Sequence, residues 1–222
     1  MRPQVIDLGY GRSLSPLWPW GLRLLQASVL CLPLLGLGLV ARAAAVPQPA
    51  VHVYLLRGVL NIFSLGLDQI GARLDAQGIA NSVNNYLSWS SLADEAALQY
   101  KNGRLRKIIL VGHSSGATVL PDMVARLSAQ HVPVALAIGL DSVFQTSLSG
   151  TVGRYLNFYI ANGAGTPVER TRQLHGDLEN INVGGIPGIG HVTIDKNQII
   201  QQKVINAIDA EVFGRPAAVP AQ

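Results

Sequence analysis

The chain has one cysteine in 222 residues, Cys31, and it lies inside an apolar stretch. The rest of the chain therefore excludes a disulfide framework and a thiolate metal site. Leu30 precedes Cys31 where a lipidation signal would carry a small residue, so Cys31 reads as a small hydrophobe. Charge is also scarce, at 14% of residues against 49% hydrophobic, a composition that excludes a disordered chain. The net charge of +4 comes mainly from residues 1–43, which hold four arginines against one aspartate. The remainder is nearly neutral, which argues against a nucleic-acid surface. The five histidines lack ligand spacing with one another, so no metal is expected. GHSSGAT lacks the lysine of a phosphate-cradling loop, and no nucleotide cofactor is expected either. There is no internal repeat.

What the chain does have, first, is an uncharged run at 24–41, LLQASVLCLPLLGLGLVA, preceded by Arg2, Arg12 and Arg23 and leading from Ala41 into Arg42-Ala43-Ala44-Ala45. A basic start, an apolar stretch and a small-residue end describe an export signal, with cleavage after Ala43 or Ala45. The run is also near the lower length for spanning a bilayer, and Trp18 and Trp20 suit an interface. Residues 1–45 are thus expected to be a signal peptide or an N-terminal membrane anchor. Pro33, Gly36 and Gly38 favour the cleaved form, in which the protein is periplasmic or secreted. Membrane association through 24–41 is the alternative.

Residues 46–213 are expected to form one domain, and 214–222 a loose tail. Strand-like and helix-like segments alternate. Val51–Leu56, residues 79–86, Lys107–Val111, Val132–Leu140, Tyr155–Ile160 and Ile181–Val183 read as strands. Residues 66–77 and the stretch from Ser91 to Gly103 read as helices, the second with a capping pattern of Ser91 and Asp94. Residues 115–129 are a helix that Pro121 should kink or break. Residues 196–212 form the last helix, with Ile199, Ile200, Val204, Ile208 and Val212 on its apolar side. The near-continuous apolar run at 132–140 is what a strand covered on both faces looks like. The pattern predicts an α/β fold: an open, mostly parallel sheet flanked by helices, without a large cap.

The most informative ten residues are KIILVGHSSG at 107–116. They place Gly112-His113-Ser114-Ser115-Gly116 between a strand and a helix. A serine on so sharp a turn needs small residues two positions before and after it, and it is left exposed at the carboxyl end of a strand. A serine hydroxyl is a weak nucleophile unless a base takes its proton and an acid orients that base. Asp141 ends the most apolar strand, at the same edge of the sheet as Ser114. Asp177 and Asp195 compete, but Asp177 has no strand directly before it and Asp195 suits a cap for the last helix. His191 lies in a glycine-rich loop before that helix, where it can bend back over the sheet, and His175 is its competitor. The oxyanion of an attacked carbonyl would need two donors. The backbone N–H of Ser115 is one, and that of Val59, after the first strand, is the other. Gly58 lets backbone approach a substrate. His113, beside the nucleophile, is counted with Gly58 among the substrate-binding positions, although its side chain is expected to point away from Ser114. Arg57 is expected to pair with a nearby acid.

LVGHSSGA, the Arg-Gly after the first strand, the later Leu-Asp and GHVTID together resemble the α/β-hydrolase superfamily. Small bacterial lipase-like and thioesterase-like members are the most similar. The resemblance covers about residues 51–212. It implies Ser114 as nucleophile, His191 as base and Asp141 as acid. It further implies hydrolysis of an acyl ester or thioester through an acyl-enzyme, with no cofactor. A non-catalytic exported binding protein on the same fold, or an acyltransferase or peptidase with the same residues, are the alternatives.

Overall fold

β1 (Val51–Arg57) sends Val53 and Leu55 to one face and Tyr54 and Leu56 to the other, and all four are buried. A strand buried on both faces needs cover above and below. In the computed structural model, which describes residues 50–59 and 64–214, helices supply that cover. The elements run β1, α1 (Gly66–Ala76), β2 (Asn81–Asn85), α2 (Trp89–Lys101), β3 (Lys107–His113), α3 (Ser115–Thr118), α4 (Leu120–Ala129), β4 (Val134–Leu140), β5 (Ser147–Tyr159), β6 (Glu169–Asn182) and α5 (Gln198–Phe213).

The six strands form one all-parallel sheet in the order β2-β1-β3-β4-β5-β6. Leu67, Ile70 and Leu74 of α1, with Ile200, Val204 and Ile208 of α5, pack on Val53, Leu55, Ile109, Val111 and Ile138. On the other face Ala93, Ala96 and Ala97 of α2, with Met123, Val124 and Leu127 of α4, pack on Tyr54, Leu56, Ile108, Leu110 and Ala137. The chain leaves β1 toward β2 on one side, then returns past it to β3 on the other. That reversal opens a crevice between the carboxyl ends of β1 and β3, the place where open α/β sheets bind ligands.

Several local expectations are met and others are revised. The helix after β3 breaks at Val119, with Pro121 in the first turn of α4, where its missing N–H costs nothing. α2 begins at Trp89 rather than at Ser91, and no side chain caps it; the Ser91 hydroxyl donates to the Ser88 carbonyl instead (2.9 Å). α5 is capped by Asn197, whose Oδ1 accepts from the N–H groups of Ile199 and Ile200. Asp195 therefore does not cap it, and accepts from the Gly66 N–H at the start of α1 (2.7 Å). Ile199 is 51% exposed, and Ile205 takes its place on the buried side of α5.

The largest difference lies after β4. No helix separates β4, β5 and β6, and the last two strands run 13 and 14 residues, far longer than the short apolar cores predict. β5 joins β4 only from Val152 onward. Its first residues, paired with the start of β6, lie over α4, where the Thr151 N–H donates to Ser128 Oγ (2.6 Å). Register shifts between Leu148 and Gly150 and between Thr151 and Arg154 bend the ribbon between its two halves. The ribbon covers part of the face that a crossover helix would otherwise cover: Leu148, Val152, Val168 and Leu174 join the α4-side core. β6 closes the sheet with exposed Glu169, Arg170, Arg172, Asp177 and Glu179, charges that discourage pairing along a free edge.

The sheet is open, with no large cap among the described residues. No helix among them is long and apolar enough to cross a membrane. The expected signal or anchor at 1–45 and, apart from Gly214, the expected tail at 214–222 lie outside the described residues.

Candidate active site

β3 ends in a turn that reverses the chain within three residues. Ser114 takes φ 58° and ψ −122°, angles sparsely populated by any side-chain-bearing residue. Its N–H donates to the Leu140 carbonyl of the neighbouring strand (3.0 Å), which ties the turn to β4. The flanking glycines are steric requirements. A Cβ on Gly112 would stand 2.4 Å from the Gly116 carbonyl oxygen, and one on Gly116 would stand 2.0 Å from that of Leu56. The tightly packed turn leaves Ser114 half-buried while Ser115, the first residue of α3, is buried.

Asp141 lies one residue past the end of β4, also at positive φ (53°), a conformation Asp tolerates better than most residues. It is wholly buried, and its Oδ1 accepts the N–H of Ile160 (2.9 Å) at the end of β5. Its Oδ2 faces His191 Nδ1 at 2.7 Å. His191 comes from the loop between β6 and α5, and its Nε2 lies 3.0 Å from Ser114 Oγ. Three residues separated by 27 and 50 positions in the chain thus form one line of hydrogen bonds. A carboxylate only accepts, so Nδ1 of His191 carries the hydrogen and Nε2 is free to accept from the Ser114 hydroxyl. Ser114 is held at the mouth of a cleft of ≈ 170 Å³ lined by Gly58, Val59, Ser64, His113, Ser114, His191 and Val192.

The competitors stand elsewhere. His175 and Asp177 are exposed on the edge strand β6. His52 Nε2 pairs with Ser82 Oγ (2.9 Å) across β1 and β2. Arg57 is engaged by Asp68. Among the described residues no group of three or more His, Cys, Asp and Glu side chains could hold a metal ion.

Two residues matter here that the spacing of motifs did not reveal. Ser64 is wholly buried at the start of α1, and its Oγ meets Gly58 N–H (3.0 Å) and His113 Nδ1 (2.8 Å). His113 is 1% exposed, and its Nε2 lies 2.8 Å from the His191 carbonyl. Both ring nitrogens of His113 are engaged by the protein, so the ring has no free nitrogen for a substrate. Burial, first of all, pulls the His113 pKa below the ordinary histidine value, with the nearby Asp195 carboxyl opposing. Burial likewise pushes Asp195 above the usual carboxylate range, with His113 opposing. Gly165 is the other quiet participant: a Cβ there would stand 1.9 Å from Asp141 Oδ1. Nothing in a lone serine or an isolated glycine signals such roles in advance.

No protein-family model matches this chain, and no curated protein matches it. The parallel sheet flanked by helices is compatible with an α/β-hydrolase-like fold.

Proposed function

We propose that this protein is a serine hydrolase of the α/β-hydrolase type, cleaving an ester or thioester through an acyl-enzyme. The observation that carries the reading is the hydrogen-bonded line from Asp141 through His191 to Ser114, at 2.7 and 3.0 Å. A buried carboxylate, an imidazole and a hydroxyl in that order form the arrangement that activates a serine.

The geometry supports the following steps. Ser114 Oγ attacks the acyl carbon as its proton passes to His191 Nε2. Asp141 stabilises the resulting imidazolium through Nδ1–H. The carbonyl oxygen becomes an oxyanion, received by the N–H groups of Ser115 and Val59. Ser115 opens α3, where no carbonyl one turn earlier serves its N–H. Gly58 N–H is taken by Ser64, so the next amide in that loop, Val59, is assigned as the second donor. Collapse breaks the bond to the alkoxide or thiolate, which leaves with the proton from His191. Water, deprotonated by His191, then attacks the acyl-enzyme and releases the acid, regenerating Ser114. The cleft opens to solvent and holds Val59 and Val192 beside the nucleophile, which supports a neutral, largely apolar acyl group and water as acceptor. Residues 1–45 are read as the element that exports the protein or anchors it to a membrane.

The test is hydrolysis of a soluble activated ester by wild type and two variants. Ser114→Ala is expected to leave only background turnover while its melting curve stays near wild type. His191→Ala is expected to lower turnover by about 10³-fold or more. Near-wild-type turnover of Ser114→Ala would remove the reading.

A further inference from the structure

His113 is the last residue of β3, yet its side chain connects two loops on either side of the nucleophile. The carbonyl of His191 can only accept, so His113 Nε2 must carry the hydrogen of that 2.8 Å contact. A neutral imidazole then has a bare Nδ1, which accepts the Ser64 hydroxyl hydrogen at 2.8 Å. Ser64 Oγ in turn accepts the Gly58 N–H at 3.0 Å. Each donor in this line of three hydrogen bonds has an acceptor, and Ser64 and His113 are almost completely buried. Such a fully satisfied buried network rigidifies what it touches. At one end it touches the backbone of the residue whose imidazole faces Ser114. At the other it touches Gly58, whose Cα side is pressed on the nucleophile: a Cβ there would stand 2.8 Å from Ser114 Cβ.

We propose that His113 is a positioning residue: it fixes the His191 carbonyl and, through Ser64, the Gly58 amide, and so holds the base loop and the oxyanion loop in register across Ser114. The inference rests on the hydrolase reading above. It also assigns opposite tautomers to the two imidazoles, whose ring centres lie 5.3 Å apart. His113 carries its hydrogen on Nε2 and His191 on Nδ1.

The experiment compares wild type, His113→Phe, His113→Gln and Ser64→Ala. Each is titrated with a fluorophosphonate to count reactive sites, then assayed per titrated site on p-nitrophenyl acetate. A role limited to folding would lower the number of reactive sites and leave turnover per site unchanged. The positioning role predicts that His113→Phe lowers kcat per site by about 10²-fold with KM changed by no more than about twofold. His113→Gln, whose amide N–H can reach the His191 carbonyl, recovers most of that loss. Ser64→Ala keeps both imidazoles and the contact between His113 and His191, but it releases Gly58, leaves His113 Nδ1 without its donor, and lowers kcat per site by about tenfold. Unchanged kcat per site in His113→Phe, or glutamine no better than phenylalanine, overturns the inference. Should His113→Phe not fold, unchanged kcat per site in Ser64→Ala overturns it. Imidazole ¹⁵N shifts of wild type at neutral pH give a readout independent of turnover: two different tautomers are expected, and a shared tautomer contradicts the network. A wild type inert to both probe and ester refutes the hydrolase reading itself, whereas an active wild type with an unimpaired His113→Phe refutes only the positioning role.

Discussion

The two oxygens of Asp141 have separate tasks, and this makes the residue a sharp probe. Oδ1 accepts from the Ile160 N–H and Oδ2 from His191 Nδ1. In Asp141→Asn the Ile160 N–H still demands an acceptor, so the amide oxygen turns to it and the NH₂ group faces His191. Nδ1 must then accept, which moves the imidazole hydrogen to Nε2, where it points at Ser114 and cannot take the serine proton. The change is nearly isosteric, so the melting temperature should stay close to wild type while kcat falls by about 10⁴-fold. Steady-state kinetics beside a thermal melt check this, and a fall in both together would mean that the residue serves the fold instead. Gly165 belongs to the same argument. Its hydrogen leaves room for Asp141 Oδ1, and Gly165→Ala should disturb the carboxylate without touching Ser114 or His191 directly.

At the scale of elements, the turn between β3 and α3 is the most demanding piece. Gly116→Ala would drive a methyl into the Leu56 carbonyl oxygen of β1, an atom that cannot move without shifting a central strand. The expected result is a stability loss of about 1–3 kcal/mol by denaturant unfolding, together with loss of the proposed esterase activity. Wild-type stability and activity would show that the turn relaxes freely. The same turn was the most legible part of the sequence. Glycine, serine and glycine at fixed spacing after an apolar strand carry a local steric meaning, and the central strands announce themselves because both faces are buried. Asp141 is legible from its place at a strand end, and His191 from the reach of its loop. Their meeting depends on the sheet order, which no local pattern encodes. The β5–β6 ribbon was largely unreadable for a related reason. Only its apolar cores resemble strands, while the charged and polar residues of 169–180 reflect a free edge rather than a loop. Helix starts were equally hard, because Asp195 and Asn197 are equally good caps on paper and tertiary packing sends Asp195 to α1 instead.

The whole molecule should register its buried histidines in its acid stability. His113 and His52 are both pulled below the ordinary histidine value, chiefly by burial. The unfolded chain therefore binds protons near pH 6.5 that the folded chain refuses, and stability present above that pH is lost as pH falls toward the folded values. Asp195, raised by burial, acts in the opposite sense: its contribution is fully present below the unfolded carboxylate value and is lost as pH rises through its folded one. His113→Gln removes one of the two histidine contributions, so on acidification from about pH 7 to pH 5 its melting temperature should fall less, relative to its own value at pH 7, than that of wild type. A variant whose melting temperature falls as steeply as that of wild type would contradict this role for the buried His113 ring. Reactivity decides whether Ser114 is a nucleophile, and it is read by intact-mass and peptide analysis of the folded protein after brief exposure to a fluorophosphonate. A single adduct on Ser114 is expected, formed only in the folded state and abolished in Ser114→Ala. A folded protein that takes up no adduct, or takes it up on another residue, would contradict it.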